Sequence, residues 1–191
     1  MKQLKKLIPN ILILTEGETE RIYLNHLKER GSNYSVHIQV YGGNEPLKMV
    51  KRCNEIFRTR SMSRKMGDHG FCVMDVDYCT KDDFKRAYDY AEKNNITIIL
   101  SNPCFEVFFL LHYTEEIPEI SSREMKAEIS RYIPEYRETG DYWRLLLKNQ
   151  KVALGRSRGY ELDTDAIFNG KMGTNVWELF DLTMRLKKEG N

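Results

Sequence analysis

The sequence has no surplus of charge of either sign: 30 Lys and Arg stand against 28 Asp and Glu, a formal net charge of +2. Global electrostatics therefore does not mark a nucleic-acid binder, and any such binding needs a local patch. Paired cysteines are lacking too. Cys53, Cys72, Cys79 and Cys104 form no Cys-x-x-Cys unit, and Cys72 and Cys79 with His69 do not match zinc-ligand spacing. They read as reduced, mostly buried thiols of a cytoplasmic protein. No apolar run reaches the roughly 20 residues that cross a bilayer. Lys2, Lys5 and Lys6 precede an apolar stretch as in a signal peptide, but Pro9 and Asn10 interrupt it and acidic residues follow. The expectation is a chain neither secreted nor embedded. Internal repeats and low-complexity tracts are absent as well. What is present, 191 residues with 41% hydrophobic and 30% charged, suits one α/β core with a helical extension.

Strand-like and helix-like segments alternate over the first part of the chain. Ile11-Leu12-Ile13-Leu14 is a continuous apolar run, as expected of a strand covered on both faces. Residues 17–30 follow as a helix with Gly31 placed to stop it. Val36, Ile38 and Val40 alternate with His37 and Gln39, which predicts a strand nearer the sheet edge. Gly42-Gly43-Asn44 is a turn, and Pro46 stands where a helix begins. Residues 70–74 and 96–100 are the third and fourth strands, with a helix over 82–93 between them. Ser101-Asn102-Pro103 reads as a helix start, Asn102 capping and Pro103 in the first helical position. The nearly all-apolar helix it opens runs to Tyr113 and should be buried on most sides.

This alternation predicts a parallel four-stranded α/β sheet with flanking helices over residues 1–114. Beyond it, helices over 122–132, 142–154 and 175–188 predict a C-terminal helical extension, residues 115–191, packed on the core.

Two acidic clusters end two of the buried strands. Glu16-Gly17-Glu18-Thr19-Glu20 follows the first apolar run, and Asp75-Val76-Asp77 follows Phe71-Cys72-Val73-Met74. In open parallel sheets ligands collect at the carboxyl ends of strands. A strand order of 2-1-3-4 would set Glu16 beside Asp75 at that edge. Glu16 and Glu20, four apart, can share a helix face; Asp75 and Asp77 project to one side if the chain stays extended. Carboxylates so gathered repel each other unless a hard cation such as Mg²⁺ or Mn²⁺ joins them, and such ions bind phosphates. Singly, each acid also has a plain structural use. Glu18 and Glu20 suit a helix N-terminus, Asp77 suits a turn, and Glu106 suits either a buried partnered site or the helix dipole.

The segments Leu-Thr-Glu-Gly-Glu-Thr-Glu (14–20), Met-Asp-Val-Asp (74–77), Ser-Asn-Pro-Cys-Phe-Glu (101–106), Leu-Leu-His (110–112) and Gly-Thr-Asn-Val (173–176) together resemble the RloB-like family. That family is a branch of the Toprim fold, which is Rossmann-like, and is related to the overcoming-lysogenization-defect nucleases. The resemblance implies a Toprim site in which Glu16 serves as metal ligand or general acid/base. Asp75 and Asp77 match the Asp-x-Asp ligands, and Glu20 matches the second acid of a Glu-Gly-x-Thr-Glu motif. It also implies a setting in restriction-modification or phage-defence loci, often beside a partner ATPase. Near Tyr136-Arg137, where relatives carry a tyrosine followed by lysine, Arg137 would have to replace that lysine.

Arg144, Lys148 and Lys151 fall at helical spacing and lead on to Arg156 and Arg158. This strip could hold a nucleic-acid backbone, or could be a solvated helix face. Arg58, Arg60, Arg64 and Lys65 form a second basic run in a polar connection. Cys104 near a helix start, with His112 on the same helix, has the residues of a thiol nucleophile but no orienting third group, so a packed thiol is expected.

Two functions follow as expectations. One is a Mg²⁺- or Mn²⁺-dependent nuclease cutting DNA or RNA in anti-phage defence. Its catalytic residues would be Glu16, Glu20, Asp75 and Asp77, with Glu16, Asp75, Asp77 and Glu106 on the metal. The other is a non-catalytic nucleic-acid or nucleotide sensor acting with a partner ATPase.

Overall fold

The computed structural model describes residues 8–28, 32–76, 79–160, 162 and 164–189. The first strand, β1 (Asn10–Thr15), lies between parallel β2 (Ser35–Val40) on one side and parallel β3 (His69–Asp75) on the other. β4 (Ile96–Asn102) joins β3 in parallel. These four strands have the expected order 2-1-3-4. Helix α1 (Glu18–Leu24) follows β1, α2 (Pro46–Thr59) follows β2, and α3 (Lys81–Lys93) follows β3.

Continuous apolar strands are explained by burial on both faces. Ile11 and Ile13 of β1, with Phe71 and Val73 of β3, pack into one cluster. Leu12 and Leu14, with Cys72 and Met74, pack into a second under α2 and α3. On the first face Tyr23 of α1 meets the rings of Phe105, Phe108, Phe109, Trp143 and Phe180 at centroid distances of 5.0–6.4 Å. Edge β2 is only half-buried: Val36 is its one fully buried residue, and the in-out alternation expected from its sequence is not kept.

The sheet departs from expectation at its far edge. It has five strands, not four, and the last, β5 (Gly173–Thr174), pairs antiparallel with β4. Two residues are too few for periodicity to reveal. Side chains fix the strand instead: Ser101 Oγ and Thr174 Oγ1 lie 3.0 Å apart in a buried pair. Gly173 has φ +149°, and a Cβ there would meet Cβ of Tyr160 at 2.7 Å. Asn175 then continues the ladder with its side chain. Its Oδ1 accepts the Leu100 N–H at 2.6 Å, and its Nδ2 donates to the Ile98 carbonyl at 3.2 Å.

The expected cap at Asn102 is corrected as well. Asn102 belongs to β4, pairs with Gly173 and donates from Nδ2 to the Lys171 carbonyl at 2.7 Å, and the Asn102–Pro103 peptide is cis. The apolar helix is therefore shorter than read, α4 (Glu106–Leu110), though Val107, Phe108, Phe109 and Leu110 are all buried as anticipated. Helix α1 ends early in a 3-10 turn at Asn25–Leu27; the expected stop at Gly31 lies outside the described residues.

The remaining helices are α5 (Ser122–Ile129), α6 (Trp143–Leu146), α7 (Gln150–Ser157), α8 (Thr164–Phe168) and α9 (Trp177–Lys188). Helix α5 opens with a reciprocal cap, Ser121 N–H and Oγ donating to Glu124 Oε2 at 2.9 and 2.6 Å. The segment read as one helix over 142–154 is broken by a 3-10 turn at Leu147–Asn149. Among the described residues no helix is long and apolar enough to cross a membrane. The four thiols are free, with Cys53, Cys72 and Cys104 buried.

Replacing Asn175 with alanine leaves a strand N–H and a strand C=O without partners. The expected cost is about 1–3 kcal/mol, read as a lower urea midpoint at unchanged m-value.

Candidate acidic site at the carboxyl edge of the sheet

Adjacency of β1 and β3 decides where Glu16 goes. Its N–H donates to the Val73 carbonyl at 3.0 Å, extending the ladder one residue past β1. Its carboxylate Oε2 then accepts the Asp75 N–H at 3.1 Å. The two acids that end the strands thus meet, one carboxylate locked to the backbone of the other.

Gly17 begins α1, and its N–H donates to Glu20 Oε2 at 3.2 Å. Glu20 therefore serves partly as the helix cap that its position allowed. A Cβ on Gly17 would lie 3.2 Å from that same oxygen, so the close approach depends on glycine. Glu18 turns away to pair with Arg21, Nε donating to Oε2 at 2.6 Å.

Glu106 opens α4 and reaches the same place from the first face of the sheet. A cavity of about 350 Å³ is lined by Glu16, Glu18, Glu20, Asp75, Glu106 and Glu138, with Lys126 the cation among its walls. Glu20 and Glu106 are almost fully buried, at 3% and 2% exposure. The Tyr136 hydroxyl donates to Glu106 Oε1 at 2.6 Å; burial and the charge of Glu106 push that phenol's pKa far up.

Burial raises the Glu20 pKa to about 7, and the charges of Glu106 and Glu16 add to it while main-chain N–H groups oppose it. Lys126 of α5 donates to Glu138 Oε1 at 2.7 Å. Burial works against its charge, but the Glu138 hydrogen bond and the charges of Glu106 and Glu138 outweigh burial and raise its pKa. The loop carrying Glu138 is tied down where the Thr19 hydroxyl donates to the Glu138 carbonyl at 2.9 Å.

Of the residues singled out in sequence, Glu16, Glu20, Asp75 and Glu106 share this cavity. Asp77 lies outside the described residues. Lys126 and Glu138 carried no sequence signal as site residues, because they arrive through tertiary packing, and Tyr136 stood out only through the family resemblance. Arg137 does not line the cavity; its backbone N–H donates to the Tyr142 hydroxyl at 2.7 Å, and the cation present is Lys126.

The basic strip lies away from this cavity. None of Arg144, Lys148, Lys151, Arg156 and Arg158 lines the cavity, and the 3-10 turn at Leu147–Asn149 breaks their helical register. Arg156 donates to the Leu111 carbonyl at 2.8 Å. Arg158 pairs with Asp181 and lies over the Trp177 ring. In the second basic run, Arg64 donates to the Asn94 carbonyl at 3.0 Å and covers Phe57, a structural use. Cys104 is buried, and burial with the charges of Glu106 and Asp75 pushes its thiol pKa far up, which removes it as a nucleophile. His112 is held neutral by burial, its pKa lowered to about 4.

As a donor set the cavity is all oxygen, anionic and short of cations, which fits a hard divalent ion such as Mg²⁺ or Mn²⁺. Among the described residues no three His, Cys, Asp or Glu side chains are drawn together tightly enough to hold one. Chemically the arrangement can bind such an ion through Glu16 and Asp75, and can hold a proton near neutrality on Glu20.

Glu20 predicts a pH dependence with a definite sign. Its pKa of about 7 in the folded protein exceeds the ordinary glutamate value of 4.5, so between these pH values the folded state holds a proton that the unfolded state has lost. Stability contributed by that proton is present below pH 4.5 and is lost as pH rises through about 7. Relative to Glu20→Gln, the wild type should lose about 3 kcal/mol over that span, at about 1.4 kcal/mol per pH unit. Thermal midpoints of both proteins across pH 4–8, without divalent ions, check this; parallel profiles refute it.

A family model described as RloB-like protein matches residues 11–182. No curated protein and no solved structure matches the chain.

Proposed function

The chain belongs to the RloB-like family, and from that premise we propose that it is a metal-dependent phosphodiesterase of Toprim type, cutting nucleic acid in anti-phage defence. The observation that carries the proposal is the meeting of Glu16, Asp75, Glu20 and Glu106 in one cavity at the carboxyl edge of the sheet. The family resemblance supplies the Toprim fold and the defence setting; the cavity supplies the chemistry.

Glu16 and Asp75 would hold Mg²⁺ or Mn²⁺, with Glu106 supporting from α4 and Asp77 contributing as the motif implies. A bound divalent ion supplies charge stabilisation on the phosphodiester and lowers the pKa of a coordinated water. The hydrogen bond from the Asp75 N–H fixes the direction of the Glu16 carboxylate before any ligand arrives. Glu20, with a pKa of about 7, can accept a proton and return it at neutral pH, which suits general acid/base work. Lys126 faces the phosphate as the cation of the cavity. Tyr136 holds Glu106 in place through its hydroxyl.

One observation favours the second reading, a non-catalytic nucleic-acid or nucleotide sensor that acts with a partner ATPase. Glu106 has Tyr136 and the charge of Lys126 beside it, so part of the acidity is met within the protein itself.

The two readings part on turnover. Single- and double-stranded DNA, RNA and tRNA are incubated with the protein in Mg²⁺ or Mn²⁺. Expected is cleavage that chelation abolishes and that Glu16→Gln or Asp75→Asn reduces by about 100-fold or more, the loss of several kcal/mol of charge stabilisation. Cleavage unchanged by both substitutions removes the site assignment. Binding without cleavage of any substrate selects the sensor.

A further inference from the structure

A second cavity, of about 460 Å³, opens where α2 and α3 begin. Both helices follow parallel strands, so their first turns lie at the same carboxyl edge as the acidic site. They pack on the opposite face of the sheet, over Leu12, Leu14, Cys72 and Met74. The walls carry Lys48 and Lys51 from α2 and Arg86 from α3, against the carboxylates of Glu45 and Asp83.

These cations are open to an incoming anion. Lys51 is exposed, makes no ion pair among the described residues and lies over the Tyr90 ring at 5.8 Å. Lys48 and Arg86 hold exposed partners three residues away on their own helices, Glu45 at 2.7 Å and Asp83 at 2.6 Å. Pairs of that kind are weak and screened by solvent. Asp83 keeps its capping bonds to the Thr80 N–H and hydroxyl, at 3.2 and 2.6 Å, if Arg86 turns to another anion. The start of α2 adds to the field: no side chain caps it, so the amides of Leu47 and Lys48 lack an acceptor within the helix.

The chain connects the two cavities directly. Tyr41 N–H donates to the Thr15 carbonyl at 2.8 Å, and Gly42 N–H to the Glu16 carbonyl at 3.3 Å. Two residues on, Asn44 forms the rim of the second cavity, a reach of about 7 Å at most. A strand that leaves a scissile phosphate at Glu16 along the Tyr41–Asn44 segment would meet the second cavity within a few nucleotides. The acidic cavity, with six carboxylates against one ammonium, repels a polyanion and needs cations along the approach.

We propose that the cavity between the first turns of α2 and α3 is a phosphate subsite that holds the sugar-phosphate backbone of a nucleic-acid strand next to the acidic site. The nature of its ligand rests on the phosphodiesterase reading, while its existence can be measured separately.

Fluorescence anisotropy with short labelled oligodeoxythymidine and oligouridine, in chelator so that nothing turns over, tests it. Lys51→Gln/Arg86→Gln should weaken binding of either oligonucleotide about 10-fold at moderate salt. It should also lower the slope of log affinity against log salt by about 1.4, two contacts at roughly 0.7 each for single strands. Both residues are exposed, so the thermal midpoint should stay near that of the wild type. Lys93→Gln/Lys188→Gln makes the same charge change at the carboxyl ends of α3 and α9 and should leave the slope unaltered. Unchanged binding in the first variant, or an equal loss in the second, overturns the subsite. Cleavage that persists with insensitive binding refutes the subsite alone. Sensitive binding with no cleavage upholds the subsite and refutes the phosphodiesterase.

Discussion

The two-sided burial of β1 and β3 is the constraint from which the rest follows. A strand covered on both faces leaves little room for charged side chains along its length, so charge is forced to its ends. Ile11 to Leu14 and Phe71 to Met74 are the buried spans, and the first acids beyond them are Glu16 and Asp75. Because these strands pair in register, Thr15 opposite Val73, their ends fall side by side. The Glu16 backbone continues the ladder for one more residue, and its carboxylate then has the Asp75 N–H within reach. The acidic site is thus the outcome of strand pairing, and it would shift with any change of register.

Charge imbalance is the second theme. A cavity holding six carboxylates and one ammonium is stable only with protons, counter-ions or hydrogen-bond donors present. The protein supplies some of these: the Asp75 N–H for Glu16, the Gly17 N–H for Glu20, the Tyr136 hydroxyl for Glu106 and Lys126 for Glu138. Glu20 nevertheless keeps a pKa near neutrality. The excess acidity sits at the mouth of the sheet, where ligands of such folds collect, and the cations that could admit a phosphate chain lie around the corner on α2 and α3.

How much of this could be read in sequence differs from element to element. β1, β3 and β4 were legible because continuous apolar runs leave few alternatives, and the order 2-1-3-4 followed from asking where two acidic ends could meet. β5 was not legible, since Gly173-Thr174 is held by Tyr160, Ser101 and the Asn175 side chain rather than by any pattern of its own. The Asn102-Pro103 pair imitates a helix start, but Asn102 is drawn into the sheet by Gly173 and Lys171. The gathering of Glu16, Glu20, Asp75 and Glu106 was readable from element ends. Lys126 and Glu138 were not, because one comes from α5 and the other from a loop whose placement only packing decides, and Tyr136 reaches Glu106 in the same way. The course of the basic strip was not readable for a related reason: a 3-10 turn breaks its helix, and Arg156 and Arg158 bond to the protein itself.

The late strand has a consequence for the order in which the molecule can be assembled. β4 ends at Asn102, and among the described residues its outer edge is paired by Gly173, Thr174 and Asn175. During synthesis about 70 further residues must leave the ribosome before that edge finds its partner. Until then the strand presents unpaired backbone groups beside Ser101, a template for mispairing with another nascent chain. The four parallel strands can collapse early, but the edge closes only when the chain is nearly complete, so truncation before residue 173 leaves an exposed strand rather than a shorter version of the same fold.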